Sequence, residues 1–143
     1  MKKTAILFLF LIITLISCVK QTALPEPVNG YYPLDLSGLT EEEISKLHGW
    51  YKNDGIPEWS IINNKARVYV TFDNEISVSD AKKVLKLIKG SIPDQDNWPE
   101  FQNHILLTDI PIVNALTSLI SLAKKETVRQ ITPGGNWPIT DDV

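Results

Sequence analysis

The chain has 143 residues, 14 basic and 17 acidic, with a formal charge of −3, one cysteine and two histidines. An acidic balance argues against a phosphate-backbone ligand, which requires clustered Lys and Arg, so nucleic acid is not an expected partner. A single thiol excludes an internal disulfide, and two histidines exclude a three-histidine metal centre.

In chain order the first element is a leader. Lys2 and Lys3 precede an apolar run from Ala5 to Ile16 that ends in Leu15-Ile16-Ser17-Cys18. A positive n-region, a short apolar h-region and a small residue before the cut describe a secretory signal peptide. The run is well short of the roughly 20 apolar residues that span a bilayer.

Leu15-Ile16-Ser17-Cys18 resembles the lipobox of bacterial lipoproteins. That resemblance implies cleavage before Cys18, acylation of its thiol and amine, and anchoring by two or more acyl chains, which holds where one chain does not. Val19 stands where an Asp would favour retention at the inner membrane. The expected location is therefore the cell envelope, lipid-anchored in the outer membrane and facing the periplasm, given a source with two membranes. Removing residues 1–17 leaves 126 residues with 12 basic and 17 acidic side chains, a formal charge of −5. That length suits one domain with a single core.

Residues 18–36 read as the lipidated cysteine and a Pro-rich tether, with Pro25, Pro27, Gly30 and Pro33 and no helical period. Extended at about 3.1 Å per residue, residues 19–35 would reach roughly 50 Å, with Tyr31 and Tyr32 docking the far end. The globular domain is expected over residues 37–143. Thr40 and Glu43 form a capping box for a first helix, and Ile44, Leu47, His48 and Tyr51 continue its apolar stripe. His48 on that stripe reads as a packed histidine ahead of a base or ligand.

Residues 58–62 and 65–72 read as two strands joined by Asn63-Asn64, residues that tolerate the positive φ of a tight hairpin. Ala66, Val68, Val70 and Phe72 alternate with Arg67, Tyr69 and Thr71, so the first set is assigned to the core. A second helix follows, with Ser79 as cap, Ala81, Val84, Leu85 and Ile88 on its apolar face and Gly90 at its end. Lys82, Lys83, Lys86 and Lys89 read as a solvated face, with an acidic partner or anionic headgroups as the alternative.

Residues 91–102 form a polar loop. Asp94, Asp96 and Asn97 begin like a calcium loop, but Pro99 and Ile105 stand where such a loop requires Gly and Glu, so no metal is expected. A third strand from His104 to Thr108, a largely apolar third helix over residues 112–125 and a last strand over residues 126–132 complete the domain. The expected fold is α+β: a mixed sheet of about four strands, including a hairpin, packed on about three helices.

No catalytic motif emerges. There is no nucleophile elbow, metalloprotease helix or phosphate loop, and Ser79-Asp80-Ala81-Lys82 and Ser121-Leu122-Ala123-Lys124 match Ser-x-x-Lys without the Lys-Thr-Gly that would complete a site. His48, His104 and the carboxylates of Asp73, Glu75, Asp94 and Asp96 are unpaired by spacing alone. The tripeptide Asn-Trp-Pro occurs twice, at residues 97–99 and 136–138. Trp98 and Trp137, with Asp94 and Asp96, form the expected interface, because aromatics with a polar handle suit a protein surface or a sugar ring. The plainer reading has these tryptophans closing over the core. The expected function is a non-catalytic protein-binding lipoprotein without a cofactor, acting on a periplasmic protein, for example as an immunity or inhibitor protein against a toxin. The alternative is a protein that binds or hydrolyses peptidoglycan or another carbohydrate.

Overall fold

The computed structural model describes residues 24–47, 55–93 and 104–135. Its ordered elements are six strands and three helices: β1 (Tyr31–Tyr32), α1 (Glu41–Lys46), β2 (Ile56–Pro57), β3 (Ile61–Ile62), β4 (Lys65–Phe72), α2 (Val78–Leu87), β5 (Ile105–Pro111), α3 (Ile112–Ala123) and β6 (Val128–Pro133). The α+β class and single small domain expected from the sequence are what the chain adopts.

β4 organises the sheet. Its eight residues alternate as expected: Ala66, Val68, Val70 and Phe72 are buried, and Arg67, Tyr69 and Thr71 are half-buried. β5 pairs along one edge of β4, from Lys65 opposite Pro111 to Thr71 opposite Ile105. β3 and β6 share the other edge, β3 at the start of β4 and β6 from Val68 onward. All these ladders are antiparallel, and a single parallel bridge from Leu47 to Ile131 makes the sheet mixed at its margin. Asn63 and Asn64 adopt φ of 50° and 59°, the pair of left-handed residues that a two-residue hairpin turn requires.

One core lies between this sheet and the helices. It unites the inward side chains of β4 with Leu85 of α2, Leu119 and Leu122 of α3, and Ile131 of β6. Burying a Leu or Ile side chain contributes about 1.5–3 kcal/mol, so this set carries most of the stability. Two buried hydroxyls tie the C-terminal end of α2 to α3 and to β5. Ser118 Oγ donates to the Ile88 carbonyl at 3.1 Å, and Thr108 Oγ1 donates to that of Ser91 at 3.2 Å. Ser91 and Asp109 also exchange backbone bonds of 2.8 and 2.9 Å, which fixes the C-terminal end of α2 against β5.

Several local expectations change. The first strand of the hairpin is only Ile61–Ile62, because Glu58–Ser60 turns as a 3-10 helix, with Ser60 Oγ bonded to the Pro57 carbonyl at 2.7 Å. The capping box of α1 is present, with Thr40 and Glu43 exchanging bonds of 3.2 and 2.7 Å, but the helix stops at Lys46. Leu47 leaves the helical region, at ψ 120°, to bridge Ile131, so a long-range pairing overrides the continuing apolar stripe. The cap of α2 is Ser77, not Ser79: the Asp80 amide donates to Ser77 Oγ at 3.1 Å, and Ser79 lies inside the first turn. β5 runs on to Pro111, so Pro111 caps α3.

The described part of the Pro-rich stretch, residues 24–36, lies along the domain and turns at Asn29-Gly30. Leu24, Leu34 and Leu36 pack against the core, Tyr31–Tyr32 pairs with Ile56–Pro57, and the Glu58 amide donates to the Gly30 carbonyl at 2.9 Å.

Candidate functional site

Cys18, His48, Trp50, Asp94, Asp96, Trp98 and Trp137 lie outside the described residues. The site that can be built is the second face of the sheet, the side of β4 turned away from the helices. Because side chains alternate along a strand, the antiparallel register places Arg67 opposite Asp109, Tyr69 opposite Leu107 and Thr71 opposite Ile105 on this side. β6 adds Thr132 beside Tyr69 and Gln130 beside Thr71.

Arg67 and Asp109 form the polar centre. The guanidinium donates from Nε to Asp109 Oδ1 at 2.8 Å and from Nη2 to Oδ2 at 2.9 Å, a bidentate fork across directly paired residues. Their side chains are 27% and 13% exposed, so the pair is only partly screened by solvent. The hydrogen bonds to Asp109 hold the Arg67 guanidinium still further above its ordinary range, against the opposing effect of partial burial. Arg67 is therefore permanently charged and is no proton acceptor for chemistry near neutral pH.

Apolar side chains surround the pair. Tyr69 and Leu107 are half-buried, and Ile105 and Trp59 are exposed at the rim. Gly134 and Gly135 let the chain leaving β6 run against this face. A Cβ on Gly134 would stand 3.0 Å from Leu107 Cδ1 and 3.2 Å from Tyr69 Cε2, and one on Gly135 would stand 2.9 Å from the Trp59 ring. The Gly134 amide donates to the Arg67 carbonyl at 2.7 Å, prolonging the ladder past Pro133. Sequence reasoning passed over this surface, because Pro133-Gly134-Gly135 read only as the opening of a tail. The alternation in β4 named Arg67, Tyr69 and Thr71 as the wetter set, but nothing local showed which strands would flank them.

A second concavity lies where β4 turns into α2, lined by Asp73, Glu75, Asp80 and Arg129 among others. Three of its charges have partners within the chain. Arg129 Nε lies 3.5 Å from Asp73 Oδ1, and Asp80 accepts from Lys83 at 2.8 Å and from Ser77 Oγ at 2.7 Å. Those two bonds hold the Asp80 carboxyl below its ordinary value, Lys83 contributing first. Among the described residues no cluster of three ligating side chains could hold a metal ion. His104 stands half-buried just ahead of β5, one position beyond the Thr71–Ile105 pair. Among the described residues no helix is long and apolar enough to cross a membrane.

Comparison with protein-family models, with curated proteins and with solved structures finds no match for this chain.

Proposed function

We propose that the protein is a lipid-anchored, non-catalytic binding protein of the bacterial cell envelope, held through Cys18 in the outer membrane and facing the periplasm, with another protein as its ligand. The observation that carries this reading is the second face of the sheet. It combines Tyr69, Leu107, Ile105 and Trp59 with a bidentate Arg67–Asp109 pair. Aromatic and aliphatic anchors around an Arg are the composition of an interface centre. A pair already satisfied within the chain costs less to cover than an isolated charge, and it can fix register against a polar partner. Neutralisation of a hostile periplasmic protein is the concrete form of this reading, supported by small size, acidic charge and the leader.

Affinity capture of the acylated protein from crosslinked cells, read by mass spectrometry with Cys18→Ala as control, tests it. A dominant protein partner, lost on Ile105→Glu and dependent on Cys18, is the expected outcome. Recovery of cell-wall fragments with no protein would overturn it in favour of the carbohydrate-binding alternative.

A further inference from the structure

α2 is the most basic part of an acidic chain. Between Val78 and Lys89 it carries Lys82, Lys83, Lys86 and Lys89 against Asp80, a local charge of +3 where the chain after residue 17 totals −5. Its other side, with Ala81, Leu85 and Ile88, is buried in the core, Lys82 is half-buried, and Lys83, Lys86 and Lys89 are turned outward.

Two features go beyond an ordinary solvated helix face. The first is apolar. Leu87, between Lys86 and Lys89, is 75% exposed, and Ile92, just past the helix end, is 40% exposed. A basic helix face bearing exposed aliphatics is the composition that settles at a lipid headgroup boundary. The second is conformational. The helix ends with the Gly90 amide donating to the Leu85 carbonyl at 2.9 Å and the Lys89 amide to that of Lys86 at 3.1 Å. This is the closure in which the left-handed residue is usually Gly, yet here that residue is Lys89, with φ 59°. The helix macrodipole favours cations at Lys86 and Lys89 but does not require one at the left-handed position. Lys89 therefore keeps a cation at the helix end in a conformation that Gly adopts more easily.

Chain length keeps the domain, and with it this face, within reach of a membrane. Leu24 packs on the core, so only residues 19–23 separate the packed chain from Cys18, a span of at most about 20 Å even when fully extended. Resting on the lipid-anchor reading above, we propose that the outer side and C-terminal end of α2, with Lys86, Leu87, Lys89 and Ile92, dock on the anionic phospholipid headgroups of the membrane that holds Cys18. The bonds from Ser118 to Ile88 and between Ser91 and Asp109 hold this end of α2 rigid, so the face meets the headgroups already ordered.

The test uses the whole chain from residue 18 with Cys18→Ala, cosedimented with phosphatidylcholine vesicles and with an equal mixture of phosphatidylcholine and phosphatidylglycerol. Binding is expected only to the mixture, and it should vanish as added salt shortens the Debye length from about 10 Å to about 3 Å. Each lysine near an anionic surface is worth about fivefold in affinity, so Lys86→Gln with Lys89→Gln weakens binding about 25-fold. The same charge change in Lys124→Gln with Lys125→Gln has little effect. Lys89→Gly provides a control for folding: it should raise the unfolding midpoint while weakening vesicle binding. Absence of binding at low salt, equal binding to neutral vesicles, or equal loss in the two double variants would each overturn the proposal, including in favour of an acidic protein as the ligand of this face. The chain in this assay carries no acyl group, so failure here is distinct from failure of the anchor reading, which palmitate incorporation at Cys18 tests.

Discussion

Gly55→Ala should loosen the extended N-terminal stretch from the domain. Gly55 adopts φ +98°, and a Cβ there would lie 2.0 Å from the Tyr32 carbonyl oxygen, 2.7 Å from its carbon and 3.0 Å from Pro33 Cα. Nothing flexible can give way, because all three atoms are backbone. The left-handed conformation itself costs a non-glycine residue about 1–2 kcal/mol. Relieving the overlap pushes Tyr32 from its partner Ile56 and endangers the bond from the Glu58 amide to the Gly30 carbonyl, a further 0.5–1.5 kcal/mol or so. The expected loss is about 3 kcal/mol, a large share of the roughly 5–15 kcal/mol that holds a domain of this size. Urea unfolding followed by tryptophan fluorescence would read it as a lower midpoint, and limited proteolysis would show earlier cleavage within residues 24–39. Gly38→Ala is the control: its φ is not positive and its Cβ would meet only the Lys124 amine at 3.9 Å, so stability should stay within about 0.5 kcal/mol. A loss below about 1 kcal/mol for Gly55→Ala, with unchanged cleavage, would refute the docking of this stretch.

Three further outcomes are expected. Ser77→Ala should cost about 1 kcal/mol as a lost helix cap, whereas Ser79→Ala should be nearly neutral, both read by urea midpoints. Asp109→Asn should cost about 1–2 kcal/mol by the same measurement, since it removes a charge-assisted fork from a guanidinium only about a quarter exposed. Asp80 has a folded-state pKa below its ordinary value of 3.8, so its contribution is present above that pH and is lost as pH falls through the folded value. Asp80→Asn should therefore flatten the acid limb of stability against pH, and an unchanged limb would show that Asp80 does not contribute to it.

What could be read from the sequence was local. The alternation of β4 named its four core residues, because a sheet buried on one face imposes a period of two. Asn63-Asn64 and the Thr40–Glu43 box each carry their geometry in adjacent residues. The cap of α2 was also present as Ser77-Val78-Ser79-Asp80, an acid three residues after a hydroxyl, and it was lost to the nearer serine. Other features were set at a distance. Leu47 continues a helical stripe but is drawn into a bridge with Ile131, more than eighty residues on. The prolines suggested an extended tether, and nothing in their spacing encodes the turn at Asn29-Gly30 or that Leu24, Leu34 and Leu36 find the core. The candidate face depends on β5 and β6 flanking β4, and no single segment specifies that.

The two surfaces are related by the architecture. The helices cover one face of the sheet, so the outward side of α2 and the face around Arg67 and Asp109 point in opposite directions across β4. In the proposed anchored state, a domain resting on its lysines would turn Tyr69, Leu107, Ile105 and Trp59 away from the bilayer, toward the compartment that the proposal assigns to its partner. A tether long enough to let the domain tumble would remove that bias, whereas a lead of five residues between Cys18 and Leu24 preserves it. The orientation has a thermodynamic use. Holding a binding face outward removes part of the rotational freedom that association must otherwise suppress, so a partner confined to the same thin compartment meets it with less entropy left to lose. Lengthening the lead with a flexible Gly-Ser insert after Val19 should therefore weaken partner capture at the membrane while leaving affinity for the unanchored chain unchanged. An equal effect on both would place the cause in the fold.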